Sequence, residues 1–390
     1  MIQRGTSPSP PCLRSYRTRS IGESPNEGVS GGGEKNCKKR FVCVVKFYCD
    51  DHFNNDTKVR ACCSEETCQI VSLRIRKTKR VVLDRVPFSG GQPRKGVEEG
   101  PSRLRKQGYK ISDFGELQVP DIKRHNITNT TLVKNSLECG TVSEKLSQEI
   151  AKATQEGKLS LTIGGDHSIA VGSVFGHASV AKDLGLLWID AHMDINTPAT
   201  TTTGNIHGMP MSMLIKGIPE FQSLPGYEWC SPCLSPEDVA YIGLRDVEPQ
   251  EREICEKLGI ASYTIDDIDK DGIGVIIKKA LKRINPNGDR PIHVSYDIDS
   301  LDPKETPSTG TPVRGGLTLD EGIYIAQIVA QSGCLSGIDI VEFNPAIGTE
   351  EDVIKTAKNT MELIKILLGK KSHLEKAPLP PVDDSKASSG

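Results

Sequence analysis

The sequence predicts an α/β fold, a three-layer αβα sandwich around a central parallel sheet. Two observations carry that prediction. Apolar runs of strand length recur down the 390 residues with amphipathic helical stretches between them, the alternation that builds a parallel sheet covered on both faces. Acid and imidazole groups follow several of those runs, as expected where the carboxyl ends of parallel strands line one crevice.

Taken in order, residues 1–78 read as a disordered extension. SPSPP, then SGGG, then a Cys-studded basic segment show no sustained period. Residues 1–79 carry 15 Lys+Arg against 8 Asp+Glu, and the remainder 34 against 43, so the two parts are different material. Cys12, Cys37, Cys43, Cys49, Cys62, Cys63 and Cys68 all lie in the first part. A zinc module is the competing reading, but Cys62-Cys63 and Cys68 lack a paired CxxC or a histidine at finger spacing.

The folded body is expected over residues 79–370. Val81-Val82-Leu83 reads as a short strand, and the loop PFSGGQPRKGVEEGP leads into a helix from about Pro101. That loop lacks the GK[ST] end of a phosphate-binding loop and reads as structural or site-lining. A helical pattern over residues 143–156 sets Leu146, Ile150 and Ala153 on one side. After Gly157, LSLTI is a strand that breaks at Gly164-Gly165. Residues 186–189 form the next strand, followed by a Thr-rich loop, GNIHGMP, and a helix with Met211, Met213 and Leu214. Strands at 239–242, 292–296 and 335–341 and helices near 275–281 and 319–331 complete the pattern, and residues 371–390 read as a tail.

The strand ends carry the chemistry. Asp166 and His167 follow LSLTI, Asp190, His192 and Asp194 follow LLWI, Asp297 and Asp299 follow HVSY, and Glu342 follows SGIDIV. In WIDAHMDINT the polar groups stand at alternate positions, so in an extended segment they share a face. One such residue is usually a loop group with satisfied hydrogen bonds. Four similar tips call for a cation. Two histidines, four carboxylates and no thiolate suit Mn²⁺ better than Fe²⁺, Co²⁺, Mg²⁺ or structural zinc. Six ligands exceed what one partly open site needs, which favours two metals bridged by carboxylates.

Composition excludes other classes. A net charge of −2 argues against nucleic acid or a membrane surface as partner. No apolar run is long enough to span a bilayer, and no secretory signal is evident. The early arginines Arg4, Arg14, Arg17 and Arg19 have the tone of a transit peptide, but SPSPP disfavours a helix there. The cytosol is therefore expected, with the mitochondrion as the alternative.

Six ordered motifs then match a family. GGDHS, DAHMDINTP, GNIHG, SYDIDSLDP, TGTPVRGGLT and EFNP resemble the arginases of the ureohydrolase superfamily, over about residues 86–368. The resemblance implies an arginase-like catalytic domain with two Mn²⁺ per chain. Its reaction would cleave L-arginine to L-ornithine and urea through a hydroxide held between the metals. By resemblance His167, Asp190, Asp194 and Asp297 bind one ion, and Asp190, His192, Asp297 and Asp299 the other. Asp194 also accepts a hydrogen bond from the nucleophile, Glu342 receives the guanidinium, and His207 relays a proton to the departing amine. Asn196, Thr203 and the region around Glu248 would hold the α-carboxylate and α-amino group, with Thr311 near the guanidinium. A homotrimer is implied as well.

Departures from the arginase pattern bear on specificity. Thr203 stands where Ser is usual and Glu248 where Asp is usual, adding a methyl and a methylene to the substrate pocket. Arg314 and the pair Asp84-Arg85 in the first strand are further departures. An agmatinase, or a catalytically impaired binding homologue, are the competing readings. Cys230 and Cys233 form a single CxxC, read as a loop feature over zinc or redox chemistry, and Asn55, Asn126 and Asn129 match the glycosylation pattern.

Overall fold

The computed structural model describes residues 81–106, 113–116, 133–218 and 224–370. The expected extension at 1–78, the tail at 371–390, and Asn55, Asn126 and Asn129 lie outside the described residues. Among the described residues eight strands form one sheet: β1 Val81–Val86, β2 Asp113–Glu116, β3 Leu159–Gly164, β4 Gly185–Ile189, β5 Val239–Leu244, β6 Ala261–Thr264, β7 Ile292–Asp297 and β8 Leu335–Val341. Every pairing is parallel, in the order β2-β1-β3-β8-β7-β4-β5-β6. The chain thus leaves a gap between β3 and β4 that its last two strands later fill. In a doubly wound sheet such a reversal opens a crevice at the carboxyl ends.

Nine helices flank the sheet among the described residues: α1 Gly100–Arg105, α2 Ser136–Gln155, α3 Ala170–Val180, α4 Pro210–Leu214, α5 Pro249–Leu258, α6 Ile265–Asp271, α7 Ile273–Ile284, α8 Leu319–Gln331 and α9 Glu350–Leu367. The period-2 alternation of the strands divides the core between two faces. In β4, Leu187 and Ile189 pack with α6 to α9, while Leu186 and Trp188 pack with α3, α4 and α5. β4 is buried along its whole length, so it reads as a continuous apolar run. α7 shows the matching helical stripe, burying Ile273, Ile276, Ile277, Ala280 and Ile284.

The expected three-layer architecture is what the chain adopts. Differences lie at boundaries and edges. α2 begins at Ser136, not at residue 143, because its first turns bury Cys139, Gly140 and Val142 without a regular apolar stripe. Gly140 lies so close to the backbone of Gly226 that a Cβ would stand 2.1 Å from the carbonyl oxygen. Tertiary packing outweighs the weak local propensity of this segment. The short edge strands β2 and β6 escaped notice, β6 because its four residues are all only half-buried. Asp84 and Arg85 sit inside β1 and are both buried, so the strand runs through the charged pair to Val86.

Candidate metal centre

The four central strands, β3, β8, β7 and β4, are the ones whose ends carry the acid and imidazole groups of the cluster. Beyond β3 the chain turns at Gly165, where a Cβ would stand 1.7 Å from the carbonyl oxygen of Phe88. Only glycine fits there. Asp166 then caps the single 3₁₀ turn His167–Ile169, accepting from the amides of Ser168 and Gly91. It acts as a brace, and burial and the Glu342 charge raise its pKa to about 6.

The next residue points into the centre. His167 Nδ1 lies 3.0 Å from Asp190 Oδ2, 3.2 Å from Asp194 Oδ2 and 3.4 Å from Asp297 Oδ2. The ring stacks on Trp188 at 3.9 Å and 8°, and its Nδ1 is buried without a hydrogen-bond partner. A second group forms beside the first. His192 Nδ1 lies 3.3 Å from both Asp190 Oδ1 and Asp299 Oδ2. Asp190 gives one oxygen to each group. Asp297 turns Oδ2 toward the first, and its Oδ1 accepts from the amide of Asp299.

Electrostatics make this cluster costly without a cation. Burial and the charges of Asp299 and Asp190 push Asp297 well above the carboxylate range, and burial with Asp190 raises Asp194 to about 6. Burial disfavours charge on His167 and His192, yet the carboxylates around them outweigh it and raise both rings well above the imidazole value. Uncompensated buried charges cost several kcal/mol each. Three carboxylates around the His167 ring nitrogen, with Asp190 and Asp299 around that of His192 beside them, are therefore donor sets suited to hard or borderline divalent ions.

Glu342, the residue after β8, has a φ of 66°, and Asp194 has a φ of 51°. Both are left-handed conformations that non-glycine residues seldom adopt, and they cluster here beside the centre. Glu342 Oε1 accepts from the amide of His167 at 2.9 Å and faces His207 Nδ1 at 3.3 Å, while Oε2 accepts from Gln92 Nε2 at 2.6 Å. Burial opposes charge on His207, but the Glu342 contact outweighs it and raises its pKa to about 9.

A cleft of about 320 Å³ opens over the centre. Of the residues singled out from the sequence, His192, Asp194, Asp297, Asn196, Thr203, His207, Glu248 and Thr311 line it. Details differ. Glu342 is screened behind Gln92 and His207. Thr311 donates to Asp299 Oδ2 at 2.9 Å. Asn196 is already engaged, donating to Glu248 Oε1 at 3.2 Å and accepting from Thr200 at 2.8 Å.

Several lining residues were not singled out from the sequence: Gln92, Arg94, Asp246 and Glu251. Glu251 is legible in hindsight, since Glu248-Pro249 opening a helix with Glu251 three residues on is a capping-box spacing. Its oxygens accept from the amides of Ile195 and Glu248, and burial and Asp194 raise its pKa to about 8. Cys230 and Cys233 are free thiols, away from both ligand groups. No helix among the described residues is long and apolar enough to cross a membrane.

Fold and centre together define an α/β protein with a parallel sheet and a carboxylate–imidazole cluster at its switch point. The chain belongs to the arginase family, whose model matches residues 79–369. It is 45% identical over 298 residues to arginase-1 of Oryctolagus cuniculus, covering 74% of this chain and 92% of that protein. Human arginase-1 is 44% identical over 304 residues, covering 75% and 94%. Among solved structures, Entamoeba histolytica arginase in complex with L-ornithine superposes with a TM-score of 0.67 at 31% identity, covering 75% of this chain and 100% of that one.

Proposed function

We propose that this ureohydrolase cleaves the guanidinium of L-arginine to give L-ornithine and urea, with two Mn²⁺ ions per chain. The observation that carries the reading is the pair of adjacent ligand groups joined by Asp190, with His167 Nδ1 buried and facing three carboxylates. Its context is a chain 45% identical to an arginase-1, and the ornithine complex of the Entamoeba enzyme supports the substrate class. His167, Asp190, Asp194 and Asp297 would hold one ion. Asp190, His192, Asp297 and Asp299 would hold the other, and the four carboxylate charges balance two divalent ions. Bound there, the metals supply Lewis-acid activation of water at neutral pH.

The remaining steps belong to side chains. Glu342 accepts guanidinium N–H groups through charge-assisted hydrogen bonds and holds the carbon over the centre. A carboxylate offers roughly four lone-pair sites, and three donors already use Glu342. A paired contact therefore requires Gln92 or His207 to let go. Asp194 accepts a hydrogen bond from the attacking water. His207, with its pKa raised to about 9, holds a proton at neutral pH and delivers it to the departing amine. Asn196, Thr203 and Glu248 hold the α-carboxylate and α-amino group, and Thr311 steadies Asp299 near the guanidinium.

Urea release from L-arginine, with and without added Mn²⁺ and beside agmatine, tests metal, reaction and substrate together. No Mn-dependent urea from arginine would sink the reading. One observation favours agmatine as a second substrate: the Asn196 amide is tied to Glu248, which weakens the claim of an α-carboxylate on it. A preference for agmatine in the same assay would decide for that reading.

We read the assembly as a homotrimer and the compartment as the cytosol, with the mitochondrion as alternative; light scattering and fractionation check these. Residues 1–78 are proposed to be dispensable, and residues 371–390 to be a tail outside the catalytic domain. Deleting 1–78 is expected to leave urea release intact.

A further inference from the structure

Behind the metal centre, between the sheet and α3, runs a chain of buried polar side chains that the proposed reaction does not use. Strand register assembles it. β7 pairs with β8 so that His293 lies beside Gly337 and Ser295 beside Asp339, on the sheet face opposite Val294 and Ile338. α3 adds Ser173 and His177. A Cβ on Gly337 would stand 2.6 Å from Nδ1 of both His177 and His293, so this glycine makes the room for the ring pair.

The direction of each hydrogen bond follows from Asp339, which as a carboxylate can only accept. Its Oδ2 takes contacts from Ser173 Oγ at 2.5 Å, His293 Nε2 at 3.0 Å and Ser295 Oγ at 3.3 Å. The Ser295 proton is thereby committed, and its oxygen has only lone pairs to offer His167 Nε2 at 2.9 Å. Nε2 must then carry the ring hydrogen. That leaves Nδ1, facing Asp190, Asp194 and Asp297, as the ligand atom. The same logic runs the other way. His293 donates from Nε2, so in its neutral form it accepts at Nδ1 from His177 Nδ1 at 3.0 Å.

We infer that Asp339 is a positioning residue for the metal centre: through Ser295 it fixes the tautomer of His167 and so sets the affinity of the first ion. The inference rests on the metal reading proposed above. Trp188 fixes the plane of the His167 ring but not which nitrogen bears hydrogen. With Asp339 neutralised, the Ser295 hydroxyl is free to turn and donate to Nε2, which would move the ring hydrogen to Nδ1, into the space of the ion. Partners of ligating histidines typically govern metal affinity by about 10–100-fold.

The test is Mn²⁺ titration of the full chain after chelator stripping, read by the electron paramagnetic resonance of free Mn²⁺. Wild type is compared with Asp339→Asn, Ser295→Ala and Ser295→Thr, and each stripped protein is also melted. The expected result is a loss of about 10–100-fold for one ion only in Asp339→Asn and Ser295→Ala, with the hydroxyl of Ser295→Thr restoring affinity. If Asp339→Asn does not fold, the two Ser295 variants decide. Wild-type affinity for both ions in Asp339→Asn and Ser295→Ala overturns the inference while leaving the centre intact. Equal weakening of both ions alongside a lower melting temperature also overturns it, as plain destabilisation. Failure of the wild type itself to bind Mn²⁺ defeats the metal reading and this inference with it.

Discussion

The backbone amide of His167 donates a 2.9 Å hydrogen bond to Oε1 of Glu342, 175 residues away. One residue thus offers its ring to the carboxylate–imidazole cluster and its amide to the carboxylate proposed to hold the guanidinium. The separation between the His167 ring and the Glu342 carboxylate is set by a single peptide unit and two neighbouring strand ends, β3 and β8.

Glu342→Gln keeps the shape but removes the charge. Loss of two charge-assisted hydrogen bonds, about 1.5–3 kcal/mol each, corresponds to about 10²–10⁴-fold in kcat/KM for arginine. Mn²⁺ stoichiometry is expected to stay unchanged. Steady-state kinetics with metal analysis check both, and near wild-type turnover would remove Glu342 from the mechanism.

Glu248→Asp shortens the acid that now accepts from Asn196 Nδ2. Releasing one hydrogen bond of about 1 kcal/mol frees the amide for a substrate carboxylate. The expected outcome is a KM for arginine about fivefold lower, with little change for agmatine. An equal shift for both substrates would argue against Asn196 as a carboxylate contact.

Arg245 donates to the carbonyl oxygens of Gly243, Asp299, Ser300, Leu301 and Val313. It ties the Ile298–Ser300 turn, which carries Asp299, to the loop that carries Thr311. Arg245→Met leaves these carbonyls to water and is expected to cost about 2–4 kcal/mol in denaturant unfolding. Arg245→Lys recovers only part, because an ammonium cannot span the same fork.

Asp190→Asn leaves the shared position with one charged oxygen fewer for both ligand groups. Metal content after reconstitution is expected to drop below two per chain, with activity falling in step. Chelation of the wild type is expected to lower the melting temperature, since a ligand at 100 times its Kd adds about 2.7 kcal/mol. Equal melting temperatures with and without metal would contradict a bound centre.

The apolar run that opens WIDAHMDINT was enough to place Asp190, His192 and Asp194 just beyond a buried strand, because such a run is a local signal; their convergence is not the alternation of an extended chain, since β4 ends at Ile189, residues 190–192 bend and Asp194 has a φ of 51°. Buried strands such as β4 and β8 were legible for the same reason, as was α8 from its helical period. Gln92 was not legible as a partner of Glu342, since the two lie 250 residues apart and meet only when β8 is inserted beside β3.

Residue types and their local spacing, readable from the chain alone, therefore determined the layers, the strand tips and the family. The order of strands decided the rest. Only with β8 and β7 placed between β3 and β4 do the tips become neighbours. That order makes Asp190 common to two ligand groups, puts Glu342 behind Gln92, lets Glu248 reach Asn196, and lines up Asp339, Ser295 and His167. The physical reason is range: backbone stereochemistry acts over a few residues, whereas hydrogen-bond partners are chosen by packing between segments that sequence distance does not relate.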